Sequence, residues 1–283
     1  MTRDPIEDQV MRKDYPIRWV IEEGMFSEEY QAAMKASVGL LTVLPMSGVP
    51  VDFPSDRARI FHGSIETAQF VGEQYDGWCT WANFTPSKVL THWGSLMLNQ
   101  DAIFVPCGEL IRREKELRWN IGGGTGVFVR VDSSKKGFRS FALGADAKFP
   151  KHVAAEDPET MLLVSKLHPL IAEWRFVVCR GKIVSACQYA VNGQLNRYSK
   201  GVPSDAAVCA SKAANHKWQP DPIYMLDVGR RDTWGKDLHG DEYSVVEVNP
   251  FSASDFYECD IAKIVAAANA EAERALETGN WGV

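Results

Sequence analysis

The chain has no C-x-x-C pair among its six cysteines, at 79, 107, 179, 187, 209 and 259, and no regular cysteine framework. Structural zinc and a disulfide scaffold are therefore not expected, and free thiols in a reducing compartment fit better. The six histidines include no H-x-x-x-H pair, which speaks against a histidine-based metal centre. No apolar run reaches the roughly 18 residues of a membrane-spanning helix. The opening MTRDPIEDQVMRKDYP lacks the apolar core of a secretory signal. A G-x-x-x-x-G-K-[ST] loop is missing, and GGGTG at 122–126 is neither G-x-G-x-x-G nor followed by a helix. G-x-S-x-G is missing too, so no serine nucleophile is signalled. Basic residues show no excess: 31 Lys and Arg face 37 Asp and Glu, a formal net charge of −6. That argues against a general nucleic-acid binder and leaves room for a local basic cleft.

What remains is an ordinary globular composition, 45% hydrophobic and 24% charged, with no internal repeat. At about 150 residues per domain, 283 residues suggest two domains. The first 120 residues alternate strand and helix. IRWVIEE (17–23) and RARIFHG (57–63) read as strands, and DAIFVP (101–106) as a buried one. Residues 27–41 read as a helix capped by Ser27, residues 64–75 as one capped by Ser64, and residues 85–99 as one opened by Thr85 and Pro86. The proline-bearing 46–54 is loop. The alternation predicts an α/β layer with a largely parallel sheet, and the glycines at 122–126 suggest a boundary, giving domains 1–125 and 126–283.

The second half reads as successive hairpins. Strands are expected at 127–132, 138–143 and 161–166, then across 173–190 as a hairpin turning at Arg180-Gly181-Lys182, then at 222–229 and 243–251. Residues 197–220 are polar and irregular in periodicity and receive no element. The stretch 260–278 is rich in helix formers and closes the chain, so this half reads as α+β.

Three oxygen-bearing side chains stand out. Glu247 and Asn249 lie two apart on VVEVN and project from one strand face, and Asp227 sits in YMLDVG. If the strands pair, the three converge in a way that suits a hard cation such as Mg²⁺. The bland alternative is a half-exposed strand with its polar face in solvent. Arg130 and Arg175 have apolar neighbours on both sides, which suggests inward cations for a polyanion; Lys135, Lys136 and Arg139 surround a turn, where plain surface charge explains them as well. His62 follows a strand and precedes a helix cap, where α/β layers place ligand loops, so it reads either as a core histidine or as a weak substrate contact. Of nine tryptophans, Trp78, Trp81 and Trp93 cluster in the first half, as core or as an aromatic binding surface.

EWRFVVCRGKIVSACQY followed by DVG and VVEVNPF resembles the ATP-grasp superfamily. FVRVDSSKKGF resembles a small bacterial and phage-type branch with an arginine in place of the first nucleotide-binding lysine. The resemblance covers roughly residues 126–260. It implies an α+β ATP-grasp fold, with an N-terminal α/β subdomain followed by antiparallel-sheet nucleotide-binding subdomains. It also implies an ADP-forming carboxylate–amine ligase that uses ATP and Mg²⁺. Arg130 would then contact the phosphates, the loop 133–137 with Lys135 and Lys136 would cover them, and Lys166 would stand at the adenine hinge. Glu173 would meet the ribose, Arg175 would face the phosphates or the transferred group, and Asp227, Glu247 and Asn249 would hold Mg²⁺. Small carboxylate and amine substrates are expected, in the cytoplasm, or the host cytoplasm if the chain is viral. Two alternatives stay open: a non-catalytic nucleotide-binding module, and a ligase acting on a macromolecular acceptor. The hinge SKLHPL lacks the acidic residue that many members of the superfamily place there.

Overall fold

The computed structural model describes residues 17–38, 40–44, 59–74, 79–135, 137–144, 147, 149–151, 153–198, 201–232 and 242–279. The arm 1–16, the loop 46–54, Trp78, Lys136, His152 and His239 lie outside the described residues. The chain divides into two compact units. One holds residues 1–81, 251–255 and 260–283, and the other holds 82–250 and 256–259.

The first unit is a parallel layer. Strand β1 (Arg18–Glu22) lies between β2 (Leu40–Leu44) and β3 (Arg59–His62), parallel to both. Burial of Trp19, Val20 and Ile21 in succession is what a central parallel strand requires, because both of its faces are covered. Helix α1 (Glu28–Ser37) starts where Ser27 Oγ accepts the Tyr30 amide at 3.2 Å. The expected helix to residue 41 stops four residues early. Val38 is extended, and LLTVL pairs with β1 instead, a short apolar run whose periodicity fits strand and helix equally well. Helix α2 (Ile65–Gln74) is capped by Ser64, whose Oγ accepts the Thr67 amide at 3.2 Å. The last helix, Ile261–Thr278, belongs to this unit and is capped by Asp260. Its Asn269 accepts from Trp19 Nε1 at 2.8 Å.

The second unit opens with α3 (Pro86–Trp93), where Pro86 stands at the first turn while Thr85 makes no side-chain cap. The helix ends at Gly94, not at 99, because that residue adopts φ +42. A four-stranded antiparallel sheet follows, in the order β4-β7-β5-β6. Its strands are β4 (Ile103–Pro106), β5 (Gly126–Val131), β6 (Phe141–Gly144) and β7 (Met161–Lys166). Strand β4, expected to be buried and part of the parallel layer, is a half-exposed edge here, antiparallel to β7. Helices α4 (Cys107–Arg112) and α5 (Glu114–Gly122), which carry no element in the sequence reading, cover one face. Val127, Val129, Val131, Leu162 and Val164 meet Leu110 and Leu117 there. The GGGTG run is the end of α5 and the turn into β5: Gly123 caps the helix in the left-handed region. The sequence-based division at 125/126 thus falls inside this unit.

A five-stranded antiparallel sheet completes the unit, in the order β10-β9-β8-β11-β12. It is built from β8 (Leu170–Cys179), β9 (Lys182–Val191), β10 (Gln194–Tyr198), β11 (Ile223–Arg231) and β12 (Tyr243–Pro250). The β8–β9 hairpin turns at Arg180 and Gly181, whose φ of +49 and +75 match a two-residue turn of the primed type. Between β10 and β11 runs α6 (Ser204–Ala214), inside the stretch that received no element. Its buried stripe Ala206, Cys209, Ala210, Ala213 and Ala214 packs with Trp174, Phe176, Tyr224, Leu226 and Val228.

Candidate functional site

Alternation gives the five-stranded sheet two unlike faces. Trp174, Phe176, Leu226, Val228, Val245 and Val248 point to α6. The opposite face carries Glu173 and Arg175 on β8, Asp227 on β11, and Glu247 and Asn249 on β12. The ladder sets Asp227 opposite both Arg175 and Glu247. Two register shifts make this possible. Between Asp227 and Val228 the β12 partner jumps from Glu247 to Val245, so Val246 is the extra residue. Val245 and Val248 can then both be core while Glu247 and Asn249 stay on the polar face. Gly229 gives the bulge room, since a Cβ there would come within 2.7 Å of Val246 Cγ2. The second shift, between Glu173 and Trp174, leaves Tyr189 as the extra residue on β9, and its hydroxyl donates to Glu173 at 2.7 Å. Bulges of this kind re-aim side chains beside functional sites.

The charges on this face are paired. Arg175 donates through Nε and Nη2 to the two Asp227 oxygens at 2.8 and 2.7 Å, with both residues buried. Burial alone would weaken the arginine cation, but Asp227's charge and hydrogen bonds outweigh it and hold the guanidinium protonated well above its ordinary range. Arg130, from the neighbouring sheet, donates to Glu247 Oε2 at 3.0 Å. Asn249 Nδ2 bridges the carboxylates, 2.7 Å from Glu247 Oε1 and 3.2 Å from Asp227 Oδ2. Burial raises Glu173 above the usual carboxylate range, a rise opposed by the Tyr189 hydrogen bond and reinforced by the charges of Asp227 and Glu247. Tyr257, at φ +50, stacks on Tyr189 at 4.9 Å, and the Arg175 guanidinium sits 4.7 Å from its ring centre.

A cavity of about 570 Å³ opens against this face, within the second unit. Phe128 and Arg130 of β5, the segment 167–171 and Glu173, Tyr189 and Glu247 line it. Its size suits a small-molecule or nucleotide ligand. The structure therefore gathers Arg130, Glu173, Arg175, Asp227, Glu247 and Asn249. Arg130, Glu173 and Glu247 line the cavity, whereas Arg175, Asp227 and Asn249 are buried behind its wall, where Arg175, expected at the phosphates or the transferred group, holds Asp227. Lys135 is exposed in the turn after β5, and Lys166 is exposed at the end of β7; neither lines the cavity, although Leu167 and His168 beside Lys166 do. His62 belongs to the first unit and is fully buried, stacked on Phe26 at 4.6 Å.

The donor set fits a hard divalent cation in its chemistry: two carboxylates and an amide on one face. Among the described residues no three His, Cys, Asp or Glu side chains gather as a metal site, and Asn249 adds its amide to the two carboxylates on this face. The two carboxylate charges are balanced by Arg130 and Arg175, so a cation fits best when an anionic ligand enters with it. Tyr189, Tyr257 and Asn99, the last of which also lines the cavity, escaped the sequence reading. Tyr189 is placed by a bulge that no alternation pattern announces, and Tyr257 by a left-handed turn residue that is not glycine.

A family model for an ATP-grasp domain, the second family of its clade, matches residues 108–267. No curated protein sequence shows significant similarity to the chain. Solved structures share the fold at low identity. D-cycloserine synthetase DcsG is 12% identical, with a TM-score of 0.60 over 91% of this chain and 99% of that one. A RimK domain ATP-grasp protein from Sphaerobacter thermophilus is 14% identical, with a TM-score of 0.55 over 92% and 99%. D-alanine–D-alanine ligase from Bacillus anthracis is 13% identical, with a TM-score of 0.52 over 93% and 95%.

Proposed function

The chain belongs to this family of ATP-grasp domains, and we propose that it is an ATP- and Mg²⁺-dependent ligase. In this reading it joins a carboxylate to an amine through an acyl phosphate and releases ADP. The observation that carries it is the gathering of Asp227, Glu247 and Asn249 on one sheet face, with Arg130 reaching across the cavity to Glu247. A degraded donor set would have favoured a binding module without catalysis.

The roles follow from position. Arg130 stands on the cavity wall, 3.0 Å from Glu247, where its guanidinium can pass from that carboxylate to an incoming phosphate. Segment 167–171 and Phe128 offer the apolar walls a base needs, beside Lys166. Glu173, held by Tyr189, is placed to accept from a sugar hydroxyl. Asp227, Glu247 and Asn249 would hold Mg²⁺, which when bound supplies positive charge to the phosphates. Arg175 keeps Asp227 oriented from beneath. Catalysis of this kind rests on positioning and charge stabilisation, so no serine or cysteine nucleophile is called for. Small carboxylates and amines are the proposed substrates, with a peptide or other macromolecule as the second acceptor class.

The test is ADP release from ATP and Mg²⁺, with and without pooled amino acids, small peptides and polyamines. Glu247→Gln is expected to lower it at least about 100-fold, the scale of one electrostatic catalytic contact, with an unchanged circular dichroism spectrum. Wild-type turnover in that variant would remove Glu247 from the metal set. No release while ATP still binds would favour a macromolecular acceptor or a nucleotide-binding switch.

A further inference from the structure

Cys187 and Cys259 take no part in the proposed ligase chemistry, yet their Sγ atoms lie 3.3 Å apart. Strand β9 sets Cys187 opposite Arg175 in the ladder. The turn 256–259, closed by the Cys259 amide on the Phe256 carbonyl at 3.0 Å, brings up Cys259. The sulfur of Cys259 is 3.9 Å from the Arg175 carbonyl oxygen, and that of Cys187 is 3.9 Å from the Phe256 carbonyl oxygen. Both residues are buried, and Cys179 is the more accessible thiol. We propose that Cys187 and Cys259 are a reversible dithiol–disulfide site, oxidised by a peroxide and restored by a dithiol. This goes beyond the ligase reading and does not depend on it.

Geometry comes first. A disulfide needs the sulfurs at about 2.05 Å, so closing the pair takes a movement of roughly 1 Å. The 256–259 turn lies outside any helix or strand and can supply that movement without breaking a ladder. The chemistry of the two thiols is also unequal. Cys259 donates its S–H to Cys187, which lowers the Cys187 thiol against the opposing effect of burial, with the Arg175 cation helping. Cys259 is pushed up, first by the same hydrogen bond and then by burial. Cys187 is therefore the attacking sulfur and Cys259 the resolving one.

The step balances. The Cys187 thiolate attacks one peroxide oxygen, the O–O bond breaks, and hydroxide leaves and is protonated to water. The sulfur of Cys259 then attacks the Cys187 sulfenic sulfur; the S–S bond forms, the S–O bond breaks, and the Cys259 proton departs with the hydroxyl as a second water. Two thiols and one peroxide give one disulfide and two waters. The sulfurs lose two electrons and the peroxide gains them.

The full chain is treated with one to two equivalents of hydrogen peroxide, quenched, denatured and alkylated. The expected result is a mass lower by about 2 Da before alkylation, alkylatable thiols falling from six to four, and a peptide joining Cys187 to Cys259, all reversed by dithiothreitol. One equivalent of phenylarsine oxide, a dithiol probe, should bind the reduced protein. Cys259→Ser and Cys187→Ser should each abolish the bridge and the arsenical binding, while Cys179→Ser keeps both. Oxygen addition on Cys179 with Cys187 and Cys259 still alkylated would overturn the proposal, as would a bridge between two chains. The wild-type peptide map decides the matter even if a variant fails to fold.

Discussion

A buried ion pair with Arg175 helps hold the carboxylate of Asp227 in place. Arg175 and Asp227 bury opposite charges, and each repays the other's desolvation through two hydrogen bonds. Removing one partner leaves the other charged and dry. Asp227→Ala should therefore lower the unfolding free energy by about 3–5 kcal/mol, whereas Asp227→Leu combined with Arg175→Met should recover most of it. Urea unfolding of the three proteins checks this, and equal losses would mean that the site relaxes around a lone arginine. Asp227 and Arg175 were each legible as candidates in the sequence; their pairing was not, because 52 positions separate them and only the ladder register joins them. His62 carries a second residue-scale prediction. Burial, opposed by a hydrogen bond with the Phe251 backbone, lowers it from the usual 6.5 to about 3. The unfolded histidine binds a proton below 6.5, and the folded one only below about 3. Stability is thus fully present above 6.5 and falls by about 1 kcal/mol per pH unit between those values. Denaturant unfolding at pH 7, 5.5 and 4.5 should show that slope and His62→Gln should flatten it; a slope unchanged in the variant would assign it to other groups. The position of His62 after a strand suggested a ligand loop, but its neighbours Phe26 and Tyr30, which stack on it, come from a turn and a helix more than 30 residues earlier.

At the scale of elements, α6 shows what was legible and what was passed over. Its buried positions 206, 209, 210, 213 and 214 follow the spacing i, i+3, i+4, i+7, i+8, which is a helix stripe. The stripe is mostly alanine, so its apolar contrast is weak, and the polar residues around it made the segment look irregular. Small residues serve here because the helix lies close over Tyr224, Trp174 and Phe176. Ala210, fully buried, has no room to grow. Ala210→Leu is expected to cost about 1–3 kcal/mol through overpacking, read as a lower urea midpoint at an unchanged slope. A midpoint equal to wild type would mean that α6 rides free of the sheet. The hairpin at Arg180-Gly181 was readable because two β-rich runs flank a turn-forming pair. The bulges at Val246 and Tyr189 were not, since alternation predicts a face for every residue and a bulge breaks that count at one position.

For the molecule as a whole, hydrophobic pattern revealed the kinds of layer but not how the chain returns between units. Residues 251–255 and 260–283 rejoin the first unit, while 256–259 stay with the second; local pattern carries no trace of such a crossing, and glycines at 122–126 marked a helix end in place of a boundary. The charge balance was equally hidden. The chain is −6 overall, yet Asp227 and Glu247 are offset by Arg175 and Arg130. A divalent cation alone would have to compete with two arginines, and ATP alone would bring its charge to a face that also holds carboxylates. Together they are expected to bind synergistically. Saturating Mg²⁺ with ATP, at about 100 times Kd, should stabilise the second unit by about 2.7 kcal/mol, Mg²⁺ alone by nothing measurable, and ATP alone by less than the pair. Thermal melting and calorimetry with Mn²⁺ as a second probe read these arms. Arg130→Gln should invert the pattern, with weaker nucleotide binding and a newly measurable affinity for the metal alone, because Glu247 loses its partner. If Mg²⁺ alone stabilised the wild type as much as the pair does, the arginines would not be guarding the carboxylates, and the metal would be reached by a route independent of the nucleotide.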